Sequence, residues 1–137
     1  YKIRDIFSEY FGMKFERVPM SGALEYLKGD IFCPEMFTNF PYTIECKHYK
    51  ELNFNSLLTA KSNDLWSFWK QAQEECEVMK VVNKTVKPLV VFRWDRSKNF
   101  AMWDSDINVA EQMTVKAFGN SVKIAELDKW LKKIKLT

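Results

Sequence analysis

Residues 88–94, Pro-Leu-Val-Val-Phe-Arg-Trp, form a nearly continuous apolar run behind a proline. A strand with one wet face alternates apolar and polar residues, so this run predicts a strand covered on both faces. The covering layers are also legible. Leu65, Phe68, Trp69, Ala72, Cys76 and Met79 fall on one helical stripe behind Asn63-Asp64, which predicts a long capped helix reaching about Val82. Ile3, Ile6, Phe7, Tyr10 and Phe11 recur at helical spacing before Gly12, predicting a first helix over about residues 2–11. A chain of 137 residues, 47% hydrophobic and 15% aromatic with only 4 glycines and 4 prolines, can bury one such core but not two. The expectation is a single domain, 1–137, with no disordered tract.

The remaining elements fill in a mixed sheet. Residues 13–19 alternate and predict a first strand, broken at Ser21-Gly22. Residues 29–33 and 42–47 are short β-rich runs separated by Pro34, Asn39 and Pro41, which predicts two antiparallel strands of a hairpin. Residues 99–103 and 114–118 are weaker strand candidates, and Ile124, Leu127, Leu131 and Ile134 predict a closing helix over 124–134. The order is α-β-β-β-α-β plus a variable tail, an α/β fold whose mixed sheet is flanked by helices.

Charge is uneven although the net is only +3. From Lys123 onward five lysines face only Glu126 and Asp128, and from Lys80 to Lys98 six basic residues face only Asp95. Either run can complement phosphate, although a solvated lysine face is the commoner meaning of such a run alone. No stretch approaches the roughly 20 apolar residues of a membrane span, and no charged-then-apolar leader is visible. Cys33, Cys46 and Cys76 lack metal-site spacing, so no disulfide framework or zinc site is expected, and a reducing cytoplasm is the expected location. Tyr1 in place of Met suggests that residues precede it.

The chemistry concentrates in Tyr-Thr-Ile-Glu-Cys-Lys, residues 42–47. Side chains alternate along a strand, so Glu45 and Lys47 share one face while Ile44 and Cys46, the expected buried pair, share the other. Antiparallel pairing can bring Asp30 beside Glu45. Two neighbouring carboxylates repel, and a divalent cation between them relieves that repulsion. A lysine alongside stabilises charge building on a phosphate. Taken alone, Glu-x-Lys is more often an exposed ion pair on a hairpin.

Asp30, followed after fourteen residues by Ile44-Glu45-Cys46-Lys47, resembles the motif of the PD-(D/E)XK nuclease superfamily. With Phe15-Glu16-Arg17-Val18-Pro19-Met20-Ser21-Gly22 ahead of Gly29-Asp30-Ile31-Phe32, it is similar to the archaeal-type Holliday junction resolvases and their viral relatives. The likeness covers residues 1–60 well and the remainder loosely. It implies a restriction-endonuclease-like core and a metal-dependent endonuclease of DNA recombination or repair. It further implies Asp30 and Glu45 as ligands of Mg²⁺, or plausibly Mn²⁺, the Cys46 carbonyl as a possible third ligand, and Lys47 as the catalytic lysine. Arg17 and Ser21 would contact the scissile phosphate or position DNA, with the Ser21 loop mobile when no substrate is bound. In one respect the chain departs from the pattern. The family's first-helix glutamate falls at Tyr1, so the register slips, or Glu9 substitutes, or that glutamate is unused, leaving one metal or two.

Other residues carry weaker signals. His48 follows Lys47 on the opposite strand face and is expected to pack or lie at the surface. Lys50 is a candidate phosphate contact, Gln71 on the long helix a weaker one, and Trp66 and Trp69 read as core rather than as base-stacking platforms. The function expected is resolution of four-way junctions by a homodimer, in the cytoplasm or, for a viral protein, the host's, with no membrane partner. Trp94, Phe100, Met102 and Trp103 are the interface candidates. The alternatives are another superfamily nuclease acting on duplex or flap DNA, or a non-catalytic DNA-binding module.

Overall fold

The computed structural model describes residues 2–11, 15–17, 31–32, 41–51, 56–81 and 84–134. Helix α1 (Lys2–Phe11) is followed by two short strands, β1 (Glu16–Arg17) and β2 (Ile31–Phe32), and by β3 (Tyr42–Tyr49). A one-turn helix α2 (Ser56–Thr59) leads into α3 (Asp64–Met79). Strands β4 (Lys87–Trp94), β5 (Phe100–Trp103), β6 (Met113–Ala117) and β7 (Asn120–Glu126) precede α4 (Leu127–Lys133). Among the described residues the strands form one seven-stranded sheet in the order β1-β2-β3-β4-β5-β7-β6. Only β3 and β4 pair in parallel, and the crossover between them contains α3.

This topology explains the apolar run that opens β4. Leu89, Val90, Val91 and Phe92 are all buried, because the strand sits mid-sheet with a helical layer on each side. Val90 and Phe92 join Leu65, Trp66, Trp69 and Ala72 of α3, with Met102, Val122 and Ile124 of the neighbouring strands. On the other face Leu89 and Val91 pack with Phe7 of α1 and Trp130 and Leu131 of α4. The Trp130 ring meets Tyr42 edge-on at 5.2 Å between centroids. Asn63 caps α3 by accepting from the Leu65 N–H at 2.9 Å, and the Trp66 indole donates to the Leu57 carbonyl at 2.8 Å, tying α2 to α3. Trp66 and Trp69 are core residues, as their spacing indicates.

Several expectations need correction. The predicted closing helix over 124–134 is a strand up to Glu126 and a helix only from Leu127. Ile124 fits the helical stripe by spacing, yet it packs in the α3-side cluster, whereas Leu127, Leu131 and Ile134 pack on the opposite side of the sheet. A change of backbone state between them separates the two sets. The β6–β7 hairpin that forces this turns through Phe118 and Gly119, whose φ values of 52° and 80° fit a two-residue loop with both central residues left-handed. Met102 and Trp103 are fully buried in the sheet's core and are unavailable as dimer contacts. Helix α3 ends at Met79 rather than near Val82, and α2 was not expected. No helix among the described residues is long and apolar enough to cross a membrane.

Candidate active site

Strand β3 pairs with β2 in antiparallel fashion on one side and with β4 in parallel on the other, so its backbone is fixed by two ladders. Its alternation sends Thr43, Glu45, Lys47 and Tyr49 toward α3, and Tyr42, Ile44, Cys46 and His48 toward α1 and α4. Glu45 and Lys47 therefore share a face, as the sequence indicates. That face is not open, however. Glu45 is 3% exposed, less than the half-buried Cys46, because α3 lies across it. A carboxylate this deep is expensive to keep charged unless something charged or hydrogen-bonding faces it.

Lys47 is half-buried and its ammonium lies 4.1 Å from the centroid of the Phe68 ring on α3. The same ring meets Tyr49 at 5.7 Å, so one aromatic side chain organises the site's edge. Its role was not legible in advance, since Phe68 reads simply as a member of the helix's apolar stripe. Burial, reinforced by the Asp64 carboxylate, pushes the Tyr49 phenol far above its ordinary range. Tyr49 is therefore neutral wherever the protein is folded near neutral pH.

The strand edge connects this site to the rest of the motif. Arg17 pairs with Ile31 and Ile31 with Ile44, so the sequence neighbours of Asp30 and Glu45 are opposite one another across the β2–β3 ladder. Arg17 has its backbone in that row, whereas Asp30 and Ser21 lie outside the described residues. Among the described residues no three His, Cys, Asp or Glu side chains gather in a metal-holding group. A buried carboxylate oxygen at Glu45 is nevertheless the hard donor that a divalent cation takes, and it would supply one ligand of the expected pair.

The whole chain, residues 1–137, matches the family described as "Phage putative PDDEXK endonuclease". The chain belongs to that family. PDDEXK-type nucleases generally use divalent metals. Protein D14 of Escherichia phage T5 is 36% identical over 110 residues, covering 77% of this chain and 66% of that protein. The chain thus spans just under two thirds of that relative's length. A solved structure of Hjc from Archaeoglobus fulgidus, a Holliday junction resolvase from an archaeal hyperthermophile, aligns over 95% of this chain and 89% of its own at 16% identity and a TM-score of 0.40.

The outlying candidates separate from the centre. Lys50 is exposed at the bend that ends β3. Gln71, also exposed, lies one turn beyond Phe68 on α3 and donates to Glu75 at 3.3 Å. Glu9 is exposed on α1, which packs on the Cys46 side of the sheet, so the structure does not bring it to Glu45's face. His48 is exposed and hydrogen-bonds Asp95 at 2.8 Å, a surface pair rather than a general base at the site. Part of the basic excess is engaged internally: Lys80 pairs with Glu77, and Lys98 and Lys129 share Glu126. Lys123 donates to the carbonyls of Ser105 and Ile107. Lys84, Lys87, Arg96, Lys132 and Lys133 remain exposed.

Proposed function

We propose that this chain is a divalent-metal-dependent DNA endonuclease that cuts branched DNA, with the four-way junction as its substrate, acting as a homodimeric nuclease domain in the host cytoplasm. The observation that carries the reading is the placement of Glu45 and Lys47 on one face of β3, beside the ladder in which the neighbour of Asp30 pairs with the neighbour of Glu45. Asp30 and Glu45, with the Cys46 carbonyl, would hold Mg²⁺, or Mn²⁺ in its place. When bound, the cation supplies Lewis acidity to the scissile phosphate and lowers the pKa of a water.

The chain's own residues do the remaining work. Lys47, held against Phe68 by its ring face, presents a fixed positive charge where negative charge accumulates during in-line displacement at phosphorus. Helix α3 shields the carboxylate of Glu45 from bulk water, which strengthens every electrostatic interaction at that point. Arg17, Ser21, Lys50 and, more peripherally, Gln71 position the DNA backbone. Paired cuts about a junction's two-fold axis need two active sites, which a C₂ dimer supplies. Such cutting would serve DNA recombination or repair.

The test is cleavage of a labelled four-way junction beside a linear duplex of the same sequence, with Mg²⁺ and then with EDTA. Metal-dependent, symmetric junction cuts with the duplex spared are expected. Equal cutting of both substrates would reassign the chain to a general nuclease, and no cutting of either would remove the enzyme reading.

A further inference from the structure

Arg93 lies on β4 opposite His48, on the side of the sheet covered by α1 and α4 and away from Glu45 and Lys47. It forms part of the wall between two clefts. One, of about 200 Å³, is lined by Ile3, Cys46, Lys47, His48, Val91, Phe92, Arg93 and Asn99. The other, of about 340 Å³, includes Ser97, Lys98 and Asp128. Among the described residues the buried Nε of Arg93 has no hydrogen-bond partner and its guanidinium has no ion pair. A buried donor left unmade is costly, and a guanidinium has five donors, no acceptor and a permanent charge.

The neighbouring charges do not satisfy it. Asp95 is taken by His48 at 2.8 Å, and Glu126 by Lys98 at 3.1 Å. Among the described residues, Asp128 lines only the second cleft and no carboxylate lines the first. A cleft walled by a guanidinium fork, an amide and Lys47, with no anion among the described residues, selects a small oxyanion. We propose that the first cleft binds a phosphate group through the Arg93 guanidinium, with the Asn99 side-chain amide as second donor. The planar fork matches two oxygens of a tetrahedral phosphate. The phosphate belongs either to a nucleic-acid backbone or to a free phosphoanion, and the chemistry of recognition is the same. This site adjoins the proposed nuclease centre, since Cys46 and Lys47 help to line it, but the Arg93 guanidinium projects from the other face of the sheet and its binding of phosphate needs neither metal nor turnover.

The test uses the full chain in EDTA, so that cleavage contributes nothing. The chain has four arginines, and their Nε–H signals can be followed separately by NMR during titration with inorganic phosphate and with a labelled DNA duplex. A shift of the Arg93 signal with at least one probe is expected, and a signal that moves with neither overturns the proposal, without recourse to any variant. For a backbone phosphate, Arg93→Gln weakens duplex binding roughly five- to tenfold and lowers the salt slope by about one, while Lys116→Gln at the far edge of the sheet leaves both unchanged. For a free phosphoanion, Arg93→Gln abolishes the response to inorganic phosphate and leaves duplex affinity intact. Equal weakening by Arg93→Gln and Lys116→Gln means unspecific charge and overturns the site. Arg93→Lys, which keeps the charge without the fork, should restore only part of the affinity.

Discussion

The ammonium of Lys47 and the ring of Phe68 are 4.1 Å apart, so the helix that covers the sheet also fixes the lysine that the strand presents. A cation over an aromatic face gains about 0.5–2 kcal/mol, with the larger values where water is excluded. Phe68→Leu keeps most of the apolar contact and removes the ring face. It should slow single-turnover cleavage by roughly two- to tenfold with little change in melting temperature, and Phe68→Tyr should restore the rate. Lys47→Ala should cost on the order of 10²–10³ in rate, as loss of a charge-stabilising donor does elsewhere. Equal rates for Phe68→Leu and the parent protein would show that the ring has no part in placing the lysine.

Glu45→Gln replaces a buried carboxylate by an amide of the same shape. Cleavage with Mg²⁺ should fall by at least about 10²-fold, because a hard anionic ligand is lost, while junction affinity in Ca²⁺ should hold or rise. Asp30→Asn should behave in the same way if the two carboxylates act as a pair. Gel-shift and cleavage measurements on the same preparations separate binding from chemistry, and full activity in either variant would remove that residue from the metal site.

Much of this arrangement is legible in the chain, and the illegible parts have identifiable causes. Helices α1 and α3 announce themselves through local period and strand β4 through its unbroken apolar run, and the common face of Glu45 and Lys47 follows from alternation alone. The burial of Glu45 does not, because it depends on α3 crossing over a parallel β3–β4 pair. The Lys47–Phe68 contact is hidden for the same reason: strand and helix meet only through tertiary packing. At Ile124 the local signal misleads. Its spacing to Leu127 and Leu131 suits a helix, but its cross-strand partners Met102 and Met113 claim it for the sheet. The expected dimer contacts Met102 and Trp103 read as surplus aromatic and apolar residues only until seven strands are counted among the described residues.

Tyr49 gives the fold an alkaline limit. Its buried hydroxyl has no hydrogen-bond partner among the described residues, and its pKa is raised from 10.0 by burial first and the Asp64 carboxylate second. Burial raises Tyr42 as well. A phenol whose folded pKa exceeds its unfolded one binds more protons folded than unfolded as pH rises past the unfolded value, so stability is complete below pH 10.0 and declines above it. Urea unfolding at several pH values should show a loss that begins above about pH 10. Tyr49→Phe should make that loss shallower and leave neutral stability equal or higher by up to about 1 kcal/mol, since no hydrogen bond is given up. An unchanged alkaline slope in Tyr49→Phe would show that other groups set the limit.

The dimer prediction rests on what remains exposed once the core is subtracted. Trp94 and Phe100 stack with ring centroids 5.1 Å apart and planes within 6°. Both line a cleft with Met113, which is 44% exposed on the edge strand β6. These three, without Met102 and Trp103, form one apolar patch that a two-fold contact can use. Met113→Lys places a charge there, and two copies would meet across the axis, so the variant should shift the mass measured by light scattering toward the monomer. The proposed centre on β3 is untouched, so metal-dependent nicking of single sites should persist while paired, symmetric junction cuts fall by about tenfold or more. A dimer would carry two sets of the exposed Lys84, Lys87, Arg96, Lys132 and Lys133, so junction affinity should drop steeply with salt, and more steeply for the dimer than for the variant. A parent protein that is strictly monomeric at micromolar concentration, or a junction displaced equally well by the same mass of duplex, would remove junction resolution and leave a nuclease that recognises phosphate backbone alone.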